Sequence, residues 1–410
     1  MFTPADVNLA RVLTEIEALS HIGAQPSGGL TRYTFSPEHQ AATHQVADWM
    51  AQAGLQVVFD RWGNLYGRTS HDEGSVMSGS HLDSVPNGGH YDGPLGVLSA
   101  LEAVRLILES GLPLARPLEV VSFIEEEGAR FSGLLGSRLA TNTVPSEDIE
   151  ALTGRDDVRF LDALHAVDFR YPVDETLDLT QRVARYIELH IEQGRRLETA
   201  GVPIGIVTGI AGPNFMHVRL IGRSDHAGAT AYGDRHDALL AAAEVIVAVR
   251  DHGQSYFAGK GHMTVGHIQA RPNVVNVVAG EAVMKIDFRA VDDETARAMR
   301  ANIEMMIRGA ADIHGLEAEI TMTQSVPATP TPSAIMETIA ASAAQAGVAA
   351  QPLISWAAHD AMLMAKVSEA GMIFVPCRDG RSHAPEEYTA PEDIAAGIAT
   401  LANTLLQLAK

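Results

Sequence analysis

Apolar and polar positions change rhythm twice along the chain. In the first half, short β-rich runs alternate with stretches of helical spacing. Leu55–Phe59 reads as a strand followed by a turn at Arg61–Asn64, and Ser75–Ser80 leads into the motif that follows it. Leu95–Leu108 carries apolar residues at helical spacing and stops before Gly111 and Pro113. Leu118–Ile124, LEVVSFI, suits a short buried strand. Strands alternating with helices predict an α/β sheet, mixed but mostly parallel, with helices on both faces.

The texture shifts at Thr208–Pro213, TGIAGP. Strands are expected at Met216–Ile221, Met263–Ile268, Val274–Val278, Ala282–Phe288 and Glu317–Thr323, with helices at Ala238–Arg250 and from about Asp293 to Gly315. That set makes a smaller α+β unit, and the proline-spaced PATPTP at 327–332 reads as its exit hinge. The first texture then resumes, with helices at 333–347 and 359–366, a strand at Met372–Val375 and a helix at Pro391–Leu408. The expected plan is a catalytic α/β domain over 1–211 and 329–410, interrupted by an α+β lid or dimerisation domain over 212–328.

Composition narrows the function classes. A chain of 410 residues with 46% hydrophobic and 20% charged content builds a sizeable globular core. No apolar run reaches the roughly 18–20 residues of a membrane span, and MFTPADVNLARVL has no basic region followed by an apolar stretch, so neither membrane nor secretory signal is expected. The net charge of −21 repels phosphate backbones and anionic lipid, which argues against nucleic acid as a partner. The single cysteine, Cys377, excludes an intrachain disulfide and fits a reducing cytoplasm. The 17 histidines carry more information, because imidazole is the commonest transition-metal ligand.

Five segments place acidic residues or His at the ends of apolar runs: GSHLDS (79–84), YDG (91–93), EEEG (125–128), ELHIEQG (188–194) and RSHAPE (381–386). In an α/β sheet, residues beyond the carboxyl ends of the strands converge although they lie far apart in sequence. Three imidazoles with two or more carboxylates suit a pair of borderline cations such as Zn²⁺ or Mn²⁺ sharing a bridging carboxylate and water. Each segment alone also reads as a structural His, a solvated acidic face or a turn (Gly88–Gly89). A buried strand that ends in three carboxylates, however, needs cations nearby.

HLDSVPNGGHYDGPLGVL, EEEGARF, LHIEQG, DHAGAT, PNVVNVVAG and GRSHAPEEYT resemble the successive motifs of the hydantoinase/carbamoylase amidase family, which belongs to the di-zinc aminopeptidase and aminoacylase superfamily. The family includes N-carbamoyl-L-amino acid hydrolases, β-ureidopropionases and allantoate amidohydrolases. The resemblance runs from GGLTRYTFSPEH (28–39) to EEYTAPEDI (386–394). It implies hydrolysis of a C–N bond in a small carboxylated N-carbamoyl or N-acyl substrate by a metal-bridged water. Alternatives within the same chemistry are an allantoate- or ureidoglycolate-type activity and an aminoacylase or dipeptidase. A metal-binding relative without catalysis is the reading from another class.

The resemblance also assigns residues. His81 and His383 would bind one metal each, Asp92 would bridge, and Glu127 and His190 would complete the two spheres. The two divalent ions would be Zn²⁺, or Mn²⁺, Co²⁺ or Ni²⁺. Glu126 would be the general base, which requires an irregular turn beside Glu127, and Gly128 is consistent with one. Asp83 would orient His81 from behind. His226 would stabilise the oxyanion, Asn276 and Arg289 would hold the substrate carboxylate, and Gln193 would touch substrate or water. Read from the residues alone, Arg289 also fits a surface charge and His226 a loop His. The resemblance further implies a homodimer formed through the inserted domain.

Two stretches depart from the pattern. The family's Ser-Gly-Ala-Gly-His-Asp-Ala loop, which lies against the substrate carboxylate, reads Ser355–Trp356–Ala357–Ala358–His359–Asp360–Ala361 here. Trp356 either packs away from substrate or lines a narrowed aromatic pocket. After His226, Ala231 and Tyr232 replace Pro and Met.

Overall fold

The computed structural model describes residues 1–70, 72 and 74–410. The chain divides into two compact units. The larger comprises Met1–Thr208, Thr331–Leu353 and His359–Lys410; the smaller comprises Gly209–Pro330 and Ile354–Ala358.

Central strands of the larger unit are buried on both faces, so their sequences show no wet polar face alternating with an apolar one, and even their serines are enclosed. Leu118–Phe123 is buried at all six positions and Ser75–His81 at all seven. The sheet order runs Ile204–Ile210, Glu369–Val375, Val183–Ile191, Ser75–His81, Leu118–Phe123, Leu65–Arg68, Gln56–Asp60 and Val173–Asp174. Its core is parallel: Ser75–His81 pairs in parallel with both Leu118–Phe123 and Val183–Ile191, and Val183–Ile191 with Glu369–Val375. The flanking Leu65–Arg68 and Ile204–Ile210 strands pair antiparallel. The long helices Pro94–Ser110 and Pro391–Leu408 both start with Pro in the first turn, where its fixed φ and missing N–H cost nothing. Leu98, Leu101, Ile398 and Leu405 from these helices join one core cluster with Val76, Val120, Ile187 and Ile373 from the strands. A separate cluster gathers Phe35, Ile124, Phe131 and Phe160.

The smaller unit is a four-stranded antiparallel sheet, in the order Gly261–Arg271, Glu281–Ala290, Gly212–Ile221, Glu317–Ser325. Burial alternates along Glu281–Ala290, as expected for a sheet covered on one face. Helices Ala238–Tyr256 and Asp293–His314 pack there against Met216, Val218, Met284 and Ile286. Asp237 and Asp292 cap them by accepting backbone N–H bonds from their first turns.

Some expected elements differ. The Val274–Val278 strand is only Val277–Val278, since residues 274–277 form a turn in which the Val277 N–H donates to the Val274 carbonyl at 3.1 Å. The 359–366 helix is a single turn, Ala361–Met364, packed under the site. Sequence reading assigns nothing before Leu55, where helices Leu9–Ser20 and Pro37–Gln52 lie. The second buries His39, Thr43 and His44 alongside Ala42, Val46, Ala47 and Met50, so its inward face mixes polar with apolar residues and its periodicity is weak. Among the described residues no helix is long and apolar enough to cross a membrane.

Leu101 is fully buried in the middle of the principal cluster. Leu101→Ala should cost about 2–5 kcal/mol of stability through lost burial and a cavity. Denaturant unfolding followed by far-UV circular dichroism should show the lower midpoint.

Candidate metal centre

Parallel strands deliver side chains to one rim of the sheet, and the candidate residues sit there. His81 ends the Ser75–His81 strand, Glu125–Glu127 follow Leu118–Phe123, and His190 is the penultimate residue of Val183–Ile191. His383 lies in the loop after Glu369–Val375, and Asp92 just precedes helix Pro94–Ser110. These are the carboxyl ends of the strands, where open α/β sheets bind ligands.

Asp92 is the point of convergence. Its Oδ1 lies 3.2 Å from His190 Nε2 and 3.7 Å from His81 Nε2, while its Oδ2 lies 3.2 Å from His383 Nε2. Glu127 Oε2 is 3.3 Å from the same His383 nitrogen. Two donor groups result, His81–Asp92–His190 and Asp92–Glu127–His383, and the ligand atoms within each lie within 4.8 Å of one another. Glu126 belongs to neither group, and its Oε2 is 3.7 Å from His81 Nε2. A third trio, Glu188, His190 and His359, is equally close. Its carboxylate is already occupied: Glu188 accepts hydrogen bonds from Ser80 Oγ, Tyr186 Oη and the Ala361 N–H.

The backbone around the site bends sharply. Glu125, Gln193 and His383 have φ of +53°, +56° and +55°, a region that costs non-glycine residues energy and clusters at functional sites. Glu125 begins the irregular turn that separates Glu126 from Glu127, and Gly128 continues it with φ +63°. Asp83 secures that turn: its two carboxylate oxygens accept the Glu126 and Glu127 N–H groups at 3.2 Å each. The expected role of Asp83 behind His81 is divided. The nearer partner of His81 Nδ1 is the Asp83 carbonyl at 3.1 Å, with the carboxylate at 3.6 Å. Either contact places a proton on Nδ1 in neutral His81 and turns the lone pair of Nε2 toward Asp92. His190 Nδ1 likewise meets the Ile191 carbonyl at 3.0 Å.

The electrostatics fit positive charge. Burial pushes the Glu126 carboxyl well above the usual range, with His81 opposing and Glu127, Asp360 and Asp92 adding to the rise. Burial and the neighbouring Asp92 raise Glu127 to about 7. Asp92 is held well below the usual range; burial works against this, but His190, His383 and His81 all face it. His383 rises to about 9, chiefly through its contact with Asp92. His81 is buried, yet among the described residues its Nε2 has no hydrogen-bond partner. A buried imidazole lone pair that meets no donor, aimed at crowded carboxylates, is what a cation site presents. The donor set therefore fits divalent metal.

Gln193 joins this centre: its Nε2 donates to Asp92 Oδ2 at 2.8 Å. The other predicted residues belong to the smaller unit. His226 Nδ1 accepts the Gly228 and Ala229 N–H groups at 3.0 and 3.1 Å. Neutral His226 therefore carries its proton on Nε2 and presents a donor. Asn276 lies beside it, its carbonyl accepting the Ala227 N–H at 3.0 Å. Arg289 donates to Asp287 through Nε and Nη2, and through Nη1 to the Trp356 carbonyl at 2.7 Å. Ser355 Oγ donates to the Ala357 carbonyl at 2.8 Å. The half-buried Trp356 ring stands edge-on to His262 at 4.2 Å.

Several structural partners of the site escape sequence reading. Ser382 and Glu387 hold Asp92, and His359 meets the His190 ring at 4.6 Å. Arg235 braces the loop after His226 through the Ala227 and Thr230 carbonyls. The available signal was their position within the same motifs as the ligands.

Residues 77–407 match the peptidase family M20/M25/M40. An N-carbamoyl-L-amino-acid amidohydrolase of Pseudomonas sp. (strain NS671) is 36% identical over 98% of both chains. The allantoate amidohydrolase of Escherichia coli (strain K12) is also 36% identical, over 95% of this chain and 96% of its own. The crystal structure of an amidase of the hydantoinase/carbamoylase family from Burkholderia multivorans superposes with a TM-score of 0.92 at 32% identity, covering 98% of each chain. The chain belongs to peptidase family M20/M25/M40 and, within it, to the hydantoinase/carbamoylase amidases, and it is a metal-dependent amidohydrolase.

Proposed function

We propose that this amidohydrolase cleaves the C–N bond of a small N-carbamoyl or N-acyl amino acid-like substrate, with Glu126 as general base. The observation that carries the reading is the sharing of Asp92 between two donor groups, with a spare carboxylate, Glu126, beside them. A storage or structural site needs ligands but no such base.

His81 and His190 with Asp92 would hold one divalent cation, and Glu127 and His383 with the other Asp92 oxygen a second. Zinc is the first choice for this donor set, which also accepts Mn²⁺, Co²⁺ and Ni²⁺. Bound cations would supply Lewis acidity, polarising the scissile carbonyl and lowering the pKa of the attacking water. Glu126 takes the water proton and returns it to the leaving nitrogen. With a carbamoyl substrate the products are carbon dioxide, ammonia and the amine. His226 would donate from Nε2–H to the oxyanion, and Asn276 and the remaining N–H groups of Arg289 would bind the substrate carboxylate. Allantoate is the second reading, supported by equal identity to the Escherichia coli enzyme.

The smaller unit is proposed to pair with a second copy of the chain. Helix Ala238–Tyr256 exposes Leu240, Val247 and Tyr256, and among the described residues the Gly261–Arg271 strand has one edge without a partner strand.

Glu126→Gln should retain the metal, read by elemental analysis, while kcat falls by about 10²–10⁴-fold; retained turnover would remove Glu126 as base. Arg289→Ala should raise KM for carboxylated substrates with a smaller effect on kcat, and an unchanged KM would exclude it from binding. Chelation should abolish activity and Zn²⁺ or Mn²⁺ should restore it. The restored enzyme should then hydrolyse N-carbamoyl amino acids from a panel that includes allantoate, ureidoglycolate, N-acetyl amino acids and dipeptides. Turnover confined to the last two classes would contradict the proposal.

A further inference from the structure

Asp92 can serve two donor groups only if its carboxylate plane is fixed. Its own side chain has two free torsions, and the loop that carries it, residues 82–93, has no regular secondary structure. Something outside the loop must hold it.

Glu387, four residues past His383, is 3% exposed and touches none of the three imidazoles at hydrogen-bond distance. Its Oε1 accepts the backbone N–H of Tyr91 at 2.8 Å and of Asp92 at 2.9 Å. Its Oε2 lies 2.8 Å from Ser382 Oγ, and that hydroxyl is 2.5 Å from Asp92 Oδ2. Glu387 thus holds Asp92 at its backbone directly, and the two carboxylates share the Ser382 hydroxyl, whose single proton goes to one of them at a time. Gln193 Nε2 completes the cradle on Oδ2.

The other wall of this cradle is Gly89, the second glycine of the pair that sequence alone reads as a turn. A Cβ on Gly89 would lie 2.1 Å from Glu387 Oε1, 2.2 Å from its Cδ and 2.5 Å from its Cβ. Gly89 is not among the positive-φ glycines, so its backbone suits any residue and the constraint is space alone. The glycine leaves room for the Glu387 side chain to reach the Asp92 backbone.

We propose that Glu387, holding the Asp92 backbone and given room by Gly89, is a positioning residue that aims the Asp92 carboxylate at both donor groups and thereby sets metal affinity. The inference rests on Asp92 bridging two cations, as proposed above. Hydrogen-bonding partners behind a metal ligand commonly change affinity by about 10–100-fold when removed.

The test is titration of metal-free full-length protein with Zn²⁺ against a competing chelator, with circular dichroism and the thermal midpoint recorded for each metal-free variant. Wild type should take up two ions; failure to bind any would overturn the two-cation reading itself. Glu387→Ala should weaken binding by about 10–100-fold with an unchanged metal-free spectrum. Glu387→Gln keeps an oxygen for both N–H groups and should restore affinity to within a few-fold of wild type. Gly89→Ala displaces the carboxylate without removing it and should weaken binding like Glu387→Ala. In the double variant the two changes act on one contact, so its loss should equal that of Glu387→Ala alone. Wild-type affinity in Glu387→Ala, or losses that add in the double variant, would overturn the inference. If Glu387→Ala does not fold, Glu387→Gln and Gly89→Ala decide the matter: equal, wild-type affinity in both defeats it.

Discussion

The larger unit is organised around one buried anion, the carboxylate of Asp92. Three imidazoles face it from different strands and loops, and a buried charge is tolerated only with such partners. Each partner needs a different route to the same point. The parallel strands bring His81 and His190 side by side, and the loop after Glu369–Val375 brings His383 from the far side of the sheet centre. Regular geometry ends at this rim. Glu125, Gln193 and His383 adopt positive φ there because side chains leaving neighbouring strand ends in the ordinary alternation would diverge.

Asp83 and Glu387 solve a common problem in two places. Each is a buried carboxylate that spends both oxygens on neighbouring groups rather than on an ion. Asp83 holds the N–H groups of Glu126 and Glu127, and so fixes the turn between two carboxylates adjacent in sequence. Glu387 holds the N–H groups of Tyr91 and Asp92. Hydrogen bonds to a charged acceptor are roughly twice as strong as neutral ones, which makes these loops stiff without a helix or strand to support them. The same burial concentrates negative charge, and it raises Glu126, Glu127 and Glu387 together.

Much of this was legible in the sequence because it is carried by local pattern. LEVVSFI followed by three glutamates marks a strand end at a charged rim, and the structure has that strand buried at every position. The helix at Pro391–Leu408 shows in its Pro and its apolar spacing. What stayed hidden is carried by pairs far apart in the chain. Glu387 reaches Tyr91 across 296 positions, and Ser137 donates to Asp360 across 223. Neither pairing leaves a periodic trace. The turn at 274–277 was also hidden: Val and Asn there read as a strand, yet the Val277 N–H donates to the Val274 carbonyl, and the Asn276 carbonyl accepts the Ala227 N–H. Helix Pro37–Gln52 was invisible for a local reason, since His39, Thr43 and His44 interrupt the apolar stripe of its buried face.

With the carboxylated substrate proposed above, recognition turns on how a protein of net charge −21 holds an anion. Long-range attraction is unavailable, so affinity must come from short, directed hydrogen bonds. Arg289 suits this because its charge is already balanced by Asp287, leaving its remaining N–H groups as fixed donors rather than a bare cation. The Trp356 carbonyl locks the third side of the guanidinium, and the indole ring rests against His262, the residue directly opposite Arg289 on the neighbouring strand. Trp356 therefore does more than fill space where relatives have glycine. Its backbone orients the arginine while its ring is committed to packing in the smaller unit. A tryptophan held at both ends makes this loop stiffer than a glycine-rich one, and the cost is adaptability. Under the proposed role of Arg289, the protein sets the geometry of the carboxylate before substrate arrives, which favours a narrow range of acids over a broad one.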